Sequence, residues 1–213
     1  MRTRCYIVGA GEFTGRELPG QGDFIVAADG GYARLDAHGI TPDLIAGDFD
    51  SLGYVPVHPN IVSGPMEKDY TDLMLAVEQG LEHGCKSFVI DGGTGGRLDH
   101  TLANIQVLIY LAKKGARGVL LGKDINVTAI TNGSLTFKQG ASGMISIFCA
   151  GDRAEGVTLT GLKYPLDDAT LTYDFPLGVS NEFSGKPATV AVRDGTLAVT
   201  WQGGLEALEA VNE

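Results

Sequence analysis

Carboxylates that suit metal and phosphate chemistry are concentrated in three short stretches of this chain. The stretches are Gly47-Asp48-Phe49-Asp50-Ser51, Lys68-Asp69-Tyr70-Thr71-Asp72 and Asp91-Gly92-Gly93-Thr94-Gly95-Gly96-Arg97-Leu98-Asp99-His100. Carboxylate oxygens are preferred ligands of hard cations, glycine-rich turns offer backbone amides to phosphate, and arginine matches pairs of phosphate oxygens. Together these groups are typical of an enzyme that transfers a phosphate-containing group from a nucleotide.

The first stretch follows a predicted apolar strand over residues 44–46. Residues two apart in an extended chain point to the same face, so Asp48 and Asp50 are predicted to converge while Phe49 faces the other way. Parallel sheets bind ligands beyond the carboxyl ends of their strands, which is where this pair falls. A polar turn that caps the next element explains the same pattern, so this motif alone does not decide.

The second stretch leads into a predicted helix with apolar residues at i, i+3, i+4, i+7 and i+8 from Leu73, and Lys68-Asp69 is predicted to cap it. Asp72 lies in the first helical turn, where a carboxylate also interacts favourably with the helix dipole. It would complete the cation site begun by Asp48 and Asp50. Lys68 is placed to meet a phosphate, although a solvated surface lysine is the simpler interpretation.

The third stretch lies between a predicted strand and a predicted helix over residues 98–114 that is apolar on most faces and therefore predicted to be well buried. Glycines there let amides turn toward a phosphate at the helix N-terminus. The stretch lacks the GxxxxGK[ST] pattern of a P-loop. Arg97 is placed for a triphosphate, and Asp99 for a ribose, a metal-bound water or a proton. The alternative is a tight loop with an Arg97–Asp99 surface pair.

The pattern of elements changes near residue 125. Residues 1–125 alternate short apolar strands with helices, which predicts a Rossmann-like α/β domain with a parallel sheet. Residues 126–213 contain seven short, β-branched segments separated by turns, which predicts an antiparallel β-sandwich or a roll. Asn132-Gly133 and Asp194-Gly195 are typical of two-residue hairpins.

Composition narrows the function further. The net charge of −10 in 213 residues argues against a nucleic-acid surface, which needs a basic stripe. The apolar runs are too short for a signal peptide or a membrane span. Three widely spaced cysteines predict small buried side chains in a reducing compartment. The cytoplasm is therefore the expected location.

The order and spacing of these motifs resemble the thiamine pyrophosphokinase family along nearly the whole chain. The matching segments are Ala28-Asp29-Gly30-Gly31, the three acidic stretches with Pro42-Asp43-Leu44-Ile45-Ala46 before the first, Gly161-Leu162-Lys163-Tyr164-Pro165-Leu166, and Gly178-Val179-Ser180-Asn181-Glu182. The combination is specific, although no single motif is.

The resemblance implies that pyrophosphate passes from ATP to thiamine, giving thiamine diphosphate and AMP, with Mg²⁺ as cofactor. It also implies a homodimer in which the thiamine site is shared between subunits. The implied Mg²⁺ ligands are Asp48, Asp50 and Asp72; the ATP contacts are Asp29, Gly30, Lys68, Thr94, Arg97, Asp99 and His100; the thiamine contacts are Tyr164, Ser180 and Asn181. Asp48, Asp50, Asp72, Arg97 and Asp99 are the expected catalytic residues, and Asp72, Asp99 or bound water would take the hydroxyl proton.

Two other classes of function remain open at this point. A kinase of a different small alcohol on the same scaffold would release ADP rather than AMP. A non-catalytic regulator that binds thiamine or a nucleotide would be expected to lack part of the carboxylate set, yet Asp48, Asp50 and Asp72 are all present.

Overall fold

A computed structural model describes residues 4–49, 52–63 and 70–209. The described residues form two compact units, one from 1–108 with 116–123 and the other from 109–115 with 124–213. The domain boundary predicted between residues 125 and 126 stays a prediction.

The described part of the first unit contains a parallel sheet in the order β4-β3-β2-β1-β5-β6. Its strands are β1 (Arg4–Val8), β2 (Phe24–Ala28), β3 (Leu44–Ala46), β4 (Ile61–Val62), β5 (Ser87–Asp91) and β6 (Arg117–Leu121). The central strands are almost continuously buried, as expected for a parallel sheet. Because the strand order reverses between β1 and β5, the carboxyl ends of these two strands form the switch point of the sheet.

The helices of the first part of the chain are α1 (Gly31–Ala37), α2 (Asp72–Glu82) and α3 (Leu98–Lys113). The predicted cap of α2 is corrected: Thr71 is the N-cap, and its Oγ1 accepts a hydrogen bond of 3.2 Å from the Met74 amide. Lys68 and Asp69 lie outside the described residues. Most of the predicted apolar face of α2 is buried.

The prediction that α3 is well buried is wrong for its first half. Leu98 is 72% exposed and Leu102 56% exposed, whereas Val107, Leu108 and Leu111 are buried. An apolar residue is buried only where another part of the protein packs against it. The first turns of α3 therefore expose some of their apolar side chains.

The second unit contains two antiparallel sheets, β12-β9-β14-β7 and β11-β10-β13-β8. The strands are β7 (Ile125–Thr131), β8 (Ser134–Phe137), β9 (Met144–Cys149), β10 (Arg153–Thr160), β11 (Leu166–Thr172), β12 (Gly178–Glu182), β13 (Ala188–Ala191) and β14 (Thr196–Gln202). Strand β12 was not predicted because its sequence, GVSNE, contains one β-branched residue and two poor strand formers.

Both predicted hairpins are wrong, although both segments turn. The Asn132-Gly133 turn joins β7 to β8, and the Asp194-Gly195 turn joins β13 to β14, so each connects strands of different sheets. The two turns bond to each other: the Asn132 amide donates to the Gly195 carbonyl at 3.1 Å, and the Gly195 amide donates to Asn132 Oδ1 at 2.8 Å. The sequence therefore predicts both turns correctly, but it does not predict which strands pair.

All three cysteines are buried, as predicted. None of the helices in the described residues has the length and apolar character that crossing a membrane requires.

The carboxylate of Asp91 anchors the long loop that follows β1. Asp91 is completely buried. Its Oδ1 accepts hydrogen bonds from the amides of Thr14 at 2.8 Å and Gly92 at 2.7 Å, and its Oδ2 accepts from Thr14 Oγ1 at 2.8 Å and the Gly15 amide at 3.0 Å. This aspartate therefore has a structural role.

Replacing Asp91 by asparagine should destabilise the protein by about 2–3 kcal/mol, because the new amide group would face at least one buried N–H donor. Chemical denaturation measures the change. Asp174→Asn, at an exposed position, is the matched control and should stay within about 0.5 kcal/mol. Equal effects of the two substitutions would refute the anchoring role of Asp91.

Candidate active site

Three aspartates meet at the carboxyl edge of the parallel sheet. Asp29 directly follows β2, Asp48 follows β3 after one glycine, and Asp72 is the first residue of α2. One carboxylate oxygen of each lies within 4.8 Å of the others. Because parallel strands end at the same edge, neighbouring loops bring together residues that are far apart in sequence.

The backbone at this edge adopts conformations that are rare for residues with side chains. Asp29 has φ 48° and Phe49 has φ 63°, and the Asp29 amide donates to the Ala46 carbonyl at 2.8 Å. A left-handed conformation costs a non-glycine residue roughly 1–2 kcal/mol. Phe49 is buried and Asp48 is exposed. Burial of the phenyl ring therefore helps to hold a turn that directs Asp48 to the surface.

This turn corrects the extended-chain argument for Asp48 and Asp50. The chain is not extended at Phe49, so a spacing of two residues does not place both carboxylates on one face. Asp50 lies outside the described residues, and so does Lys68. Their assignments as metal ligand and ATP contact stay predictions.

Gly47 provides the space in which the carboxylates converge. Its φ of 142° is rarely adopted by residues with side chains. A Cβ atom at this position would lie 3.2 Å from the Asp29 amide nitrogen and 3.2 Å from Asp72 Oδ1. Any larger residue would therefore push between two members of the acidic cluster, which we define as Asp29, Asp48 and Asp72.

Crowding raises the pKa of Asp72 to about 6, first through burial and then through the charges of Asp29 and Asp48. The cluster thus holds more negative charge than its surroundings neutralise, and a divalent cation would relieve this repulsion. Carboxylates at this separation fit a hard cation bound by oxygen ligands. Within the described ranges, this is the group of acidic, histidine or cysteine residues that could hold a metal ion.

The sequence did not predict that Asp29 belongs to the acidic cluster. The family resemblance placed Asp29 among the ATP contacts, an assignment that stays a prediction. A signal was available, because Asp29 follows β2 as Asp48 follows β3, and adjacent parallel strands end side by side.

The glycine-rich loop after β5 is shaped largely by its contact with the loop after β1. The amides of Gly11 and Glu12 donate to the carbonyls of Gly92 at 2.7 Å and Thr94 at 2.8 Å. A Cβ at Gly92 would lie 2.5 Å from a backbone oxygen, and one at Gly95 would lie 2.4 Å from Glu12 Cβ. Close packing at the switch point thus explains much of the glycine content, and phosphate binding by this loop stays a prediction.

Arg97 and Asp99 form the surface pair that the sequence offered as an alternative. Arg97 Nε donates to Asp99 Oδ1 at 3.1 Å, and Arg97 Nη2 donates to Asp99 Oδ2 at 2.5 Å. The His100 amide donates to the same carboxylate at 3.0 Å. All three residues are exposed. The pair does not exclude the predicted ATP contacts of Arg97, Asp99, His100, Gly30 and Thr94, which remain untested.

The residues predicted to bind thiamine come together within the second unit. Tyr164 and Ser180 are exposed, and Ser180 has φ 60° on strand β12. Asn181 differs, because it is only 3% exposed and its amide is bonded to the backbone of Tyr164. A thiamine site at these residues stays a prediction.

Two protein-family models match the chain. Residues 16–120 match "Thiamin pyrophosphokinase, catalytic domain", and residues 134–197 match "Thiamin pyrophosphokinase, vitamin B1 binding domain". A thiamine pyrophosphokinase of Bacillus subtilis (strain 168) is 32% identical over 179 residues, covering 81% of this chain and 84% of the relative. One of Oryza sativa subsp. japonica is 26% identical, covering 78% of this chain and 67% of the relative.

Solved structures agree with these matches. The crystal structure of thiamine pyrophosphokinase from Bacillus subtilis has a TM-score of 0.83 and 29% identity, covering 95% of this chain and 100% of that one. The crystal structure of thiamin pyrophosphokinase from Geobacillus thermodenitrificans has a TM-score of 0.77 and 26% identity, covering 97% of this chain and 100% of that one.

The raised pKa of Asp72 predicts a pH-dependent stability of the metal-free protein. A carboxyl group whose pKa rises from 3.8 to about 6 on folding favours the folded state at low pH, and this contribution is lost as the pH rises from about 4 to about 6. Asp72→Asn removes the titration. The variant should therefore gain about 1 kcal/mol relative to wild type over this range, after allowing for solvent screening. Urea denaturation in EDTA measures the difference, and a difference that does not vary with pH would contradict the assignment.

Gly47→Ala should reduce turnover at least tenfold, because the added methyl group disturbs Asp29 and Asp72 together. Gly53→Ala is the matched control, since Gly53 also has a positive φ of 70° but no atom within 4 Å of the added Cβ. Both variants should lose about 1 kcal/mol of stability from backbone strain, and only Gly47→Ala should lose activity. Steady-state kinetics with thermal melting separates the two effects, and loss of activity in both variants would show that strain alone is responsible.

Proposed function

Since the chain belongs to the thiamine pyrophosphokinase family, we propose that it transfers the pyrophosphoryl group of ATP to the hydroxyethyl oxygen of thiamine. The hydroxyl oxygen attacks the β-phosphorus, the bond from that phosphorus to the α,β-bridging oxygen breaks, and AMP leaves. The hydroxyl proton passes to a base or to water. The observation that carries the proposal is the acidic cluster at the carboxyl edge of the sheet, within the part that matches the catalytic-domain model.

The acidic cluster is the proposed binding site for Mg²⁺, with Asp50 as the further ligand predicted from the sequence. When bound, the ion would neutralise charge on the phosphate oxygens. Asp29 and Asp48 follow strands β2 and β3, and Asp72 begins α2. Asp48 is exposed, so phosphate oxygens and water could complete the coordination of the ion. The pKa of Asp72 is raised first by burial and then by the charges of Asp29 and Asp48, and a bound cation would relieve the second effect.

ATP is proposed to bind between the acidic cluster and the start of α3. The guanidinium of Arg97 offers a planar pair of donors that suits two phosphate oxygens. Asp99 now occupies these donors, so Arg97 would exchange its partner when ATP arrives. His100, Gly30, Thr94 and Lys68 are the other proposed contacts.

Asp72 and Asp99 remain the candidate proton acceptors among the side chains. Burial and neighbouring charge raise the pKa of Asp72 to about 6, whereas the hydrogen bond from Arg97 lowers that of Asp99. Asp72 is therefore the stronger base of the two before a cation binds.

Thiamine is proposed to bind the second unit at Tyr164 and Ser180. We also infer that the two antiparallel sheets pack as a sandwich and that the first unit is Rossmann-like. Two features support the sandwich: both two-residue turns carry the chain from one sheet to the other, and buried residues alternate along β9.

Thiamine must reach phosphate-handling residues that precede residue 101 and thiamine-binding residues that follow residue 160. We propose that these come from different subunits of a homodimer. A two-fold dimer forms two equivalent shared sites. Exposed apolar side chains that include Tyr173, Phe175 and Leu177 of the second unit support association of this unit with another surface.

Product analysis tests the reaction. The protein is incubated with ATP, Mg²⁺ and thiamine, and the products are identified by mass spectrometry. Thiamine diphosphate and AMP in equal amounts are expected. Thiamine monophosphate with ADP would indicate a kinase, and unchanged ATP and thiamine would indicate a binding protein.

Arg97→Lys tests the proposed phosphate contact. Lysine keeps the charge but loses the planar pair of donors, so turnover should fall at least tenfold. Arg97 is exposed, so the melting temperature should change little. A variant that melts much earlier but turns over normally would assign Arg97 a structural role only.

Subunit mixing tests the shared site. Asp48→Asn chains, defective in metal binding, are mixed with chains that carry both Tyr164→Ala and Ser180→Ala, under conditions that allow exchange. Heterodimers with one intact site should restore activity, up to about half of the wild-type value per heterodimer. Fully exchanged mixtures without activity, or an active monomer by light scattering, would contradict the model.

A further inference from the structure

We propose that Asn181 does not contact thiamine but positions the Tyr164 backbone, so that the tyrosine ring is presented to the thiamine site. This inference rests on the proposed function. It changes the role that the family resemblance implied for Asn181 from a ligand contact to a positioning residue.

The amide of Asn181 pairs with the backbone of Tyr164 through both of its polar atoms. Oδ1 accepts from the Tyr164 amide at 3.0 Å, and Nδ2 donates to the Tyr164 carbonyl at 2.7 Å. Oδ1 also accepts from the Glu182 amide at 2.9 Å. These partners fix the orientation of the side chain, because backbone N–H groups only donate and carbonyls only accept. The side chain thus replaces the pairing that a neighbouring strand would give to Tyr164.

The burial pattern separates Asn181 from the surface. Asn181 is 3% exposed, whereas Tyr164 is 56% exposed. Ser180 is exposed and its amide donates to Ser146 Oγ at 3.1 Å. An irregularity in the pairing of β12 with β9 lies between Gly178 and Asn181. Ser180 is therefore accessible to a ligand in solution, as Tyr164 is, whereas the Asn181 side chain is buried.

Neighbouring residues also fix the backbone next to Tyr164. The Lys163 amide donates to the Glu182 carbonyl at 2.9 Å, and Lys163 Nζ lies 2.8 Å from Glu182 Oε1. Leu162 is buried and bridges to Phe183. The backbone on the N-terminal side of Tyr164 is therefore fixed by Lys163 and Leu162, and Asn181 fixes Tyr164 itself.

The exposed ring of Tyr164 suits a planar aromatic ligand. Lys163 Nζ lies 5.4 Å from the ring centroid and so occupies one face of the ring. Because Tyr164 is 56% exposed, its ring can stack on a flat heteroaromatic ring such as the pyrimidine of thiamine. A fixed backbone reduces the entropy lost when the ring is ordered by ligand binding.

A double-mutant cycle tests the inference, with KM for thiamine, KM for ATP and kcat measured for Asn181→Ala, Tyr164→Ala and the double variant. Each single change should raise KM for thiamine roughly five- to tenfold, the usual scale for one aromatic contact, with KM for ATP changed less than about twofold. KM for thiamine in the double variant should not exceed the higher of the two single-variant values, because both changes remove the same contact.

If the two effects on KM for thiamine multiply in the double variant, Asn181 contacts thiamine independently. An unchanged KM for thiamine in Asn181→Ala would show that Asn181 has no role in thiamine binding.

Asn126→Ala is the control for lost stability, because Asn126 is also buried and its Nδ2 donates to the Gly203 carbonyl at 2.8 Å. KM for thiamine should not change in this variant. If Asn181→Ala does not fold, Asn181→Asp replaces it, because aspartate keeps the acceptor for the Tyr164 amide and loses the donor to the Tyr164 carbonyl. A wild-type protein that forms no thiamine diphosphate would instead refute the proposed function.

Discussion

Mutual repulsion among the carboxylates of Asp29, Asp48 and Asp72 is the constraint on which the site depends. Three negative groups within 4.8 Å of one another are unfavourable unless the fold holds them there. The order of the parallel strands brings β2 and β3 side by side, Thr71 caps the helix that begins at Asp72, and Gly47 leaves room between the loops. The negative charge is therefore concentrated at the carboxyl edge of the sheet, where a divalent cation would compensate it.

The two aspartates at the ends of β5 and β3 have very different surroundings. Asp91 ends β5 but is buried and saturated by four hydrogen bonds, so its charge is compensated by the chain itself. Asp48 follows β3 and lies at the surface, in a turn that the buried ring of Phe49 helps to hold. Asp91 is thus surrounded by hydrogen-bond donors, whereas Asp48 lies beside the carboxylates of Asp29 and Asp72.

Strand β3 could be predicted to the residue, because a short buried apolar run between turns leaves little freedom in its ends. The turns were harder. Asn132-Gly133 has the composition of a hairpin, yet the following strand joins the other sheet, and local sequence does not encode which strand is a partner. The left-handed conformation of Phe49 was equally hidden, because tertiary burial of its ring outweighs the local cost. Asp29 was missed as a cluster member because its neighbours come from residues far along the chain.

We propose that the acidic cluster binds one divalent cation. Mn²⁺, which prefers similar oxygen ligands to Mg²⁺, can be introduced into crystals of the full chain and located by its anomalous scattering. We predict one strong peak contacted by carboxylate oxygens of Asp29, Asp48 and Asp72, and its loss in Asp48→Asn crystals. A peak elsewhere, with these carboxylates unoccupied at a Mn²⁺ concentration that supports full turnover, would contradict the account.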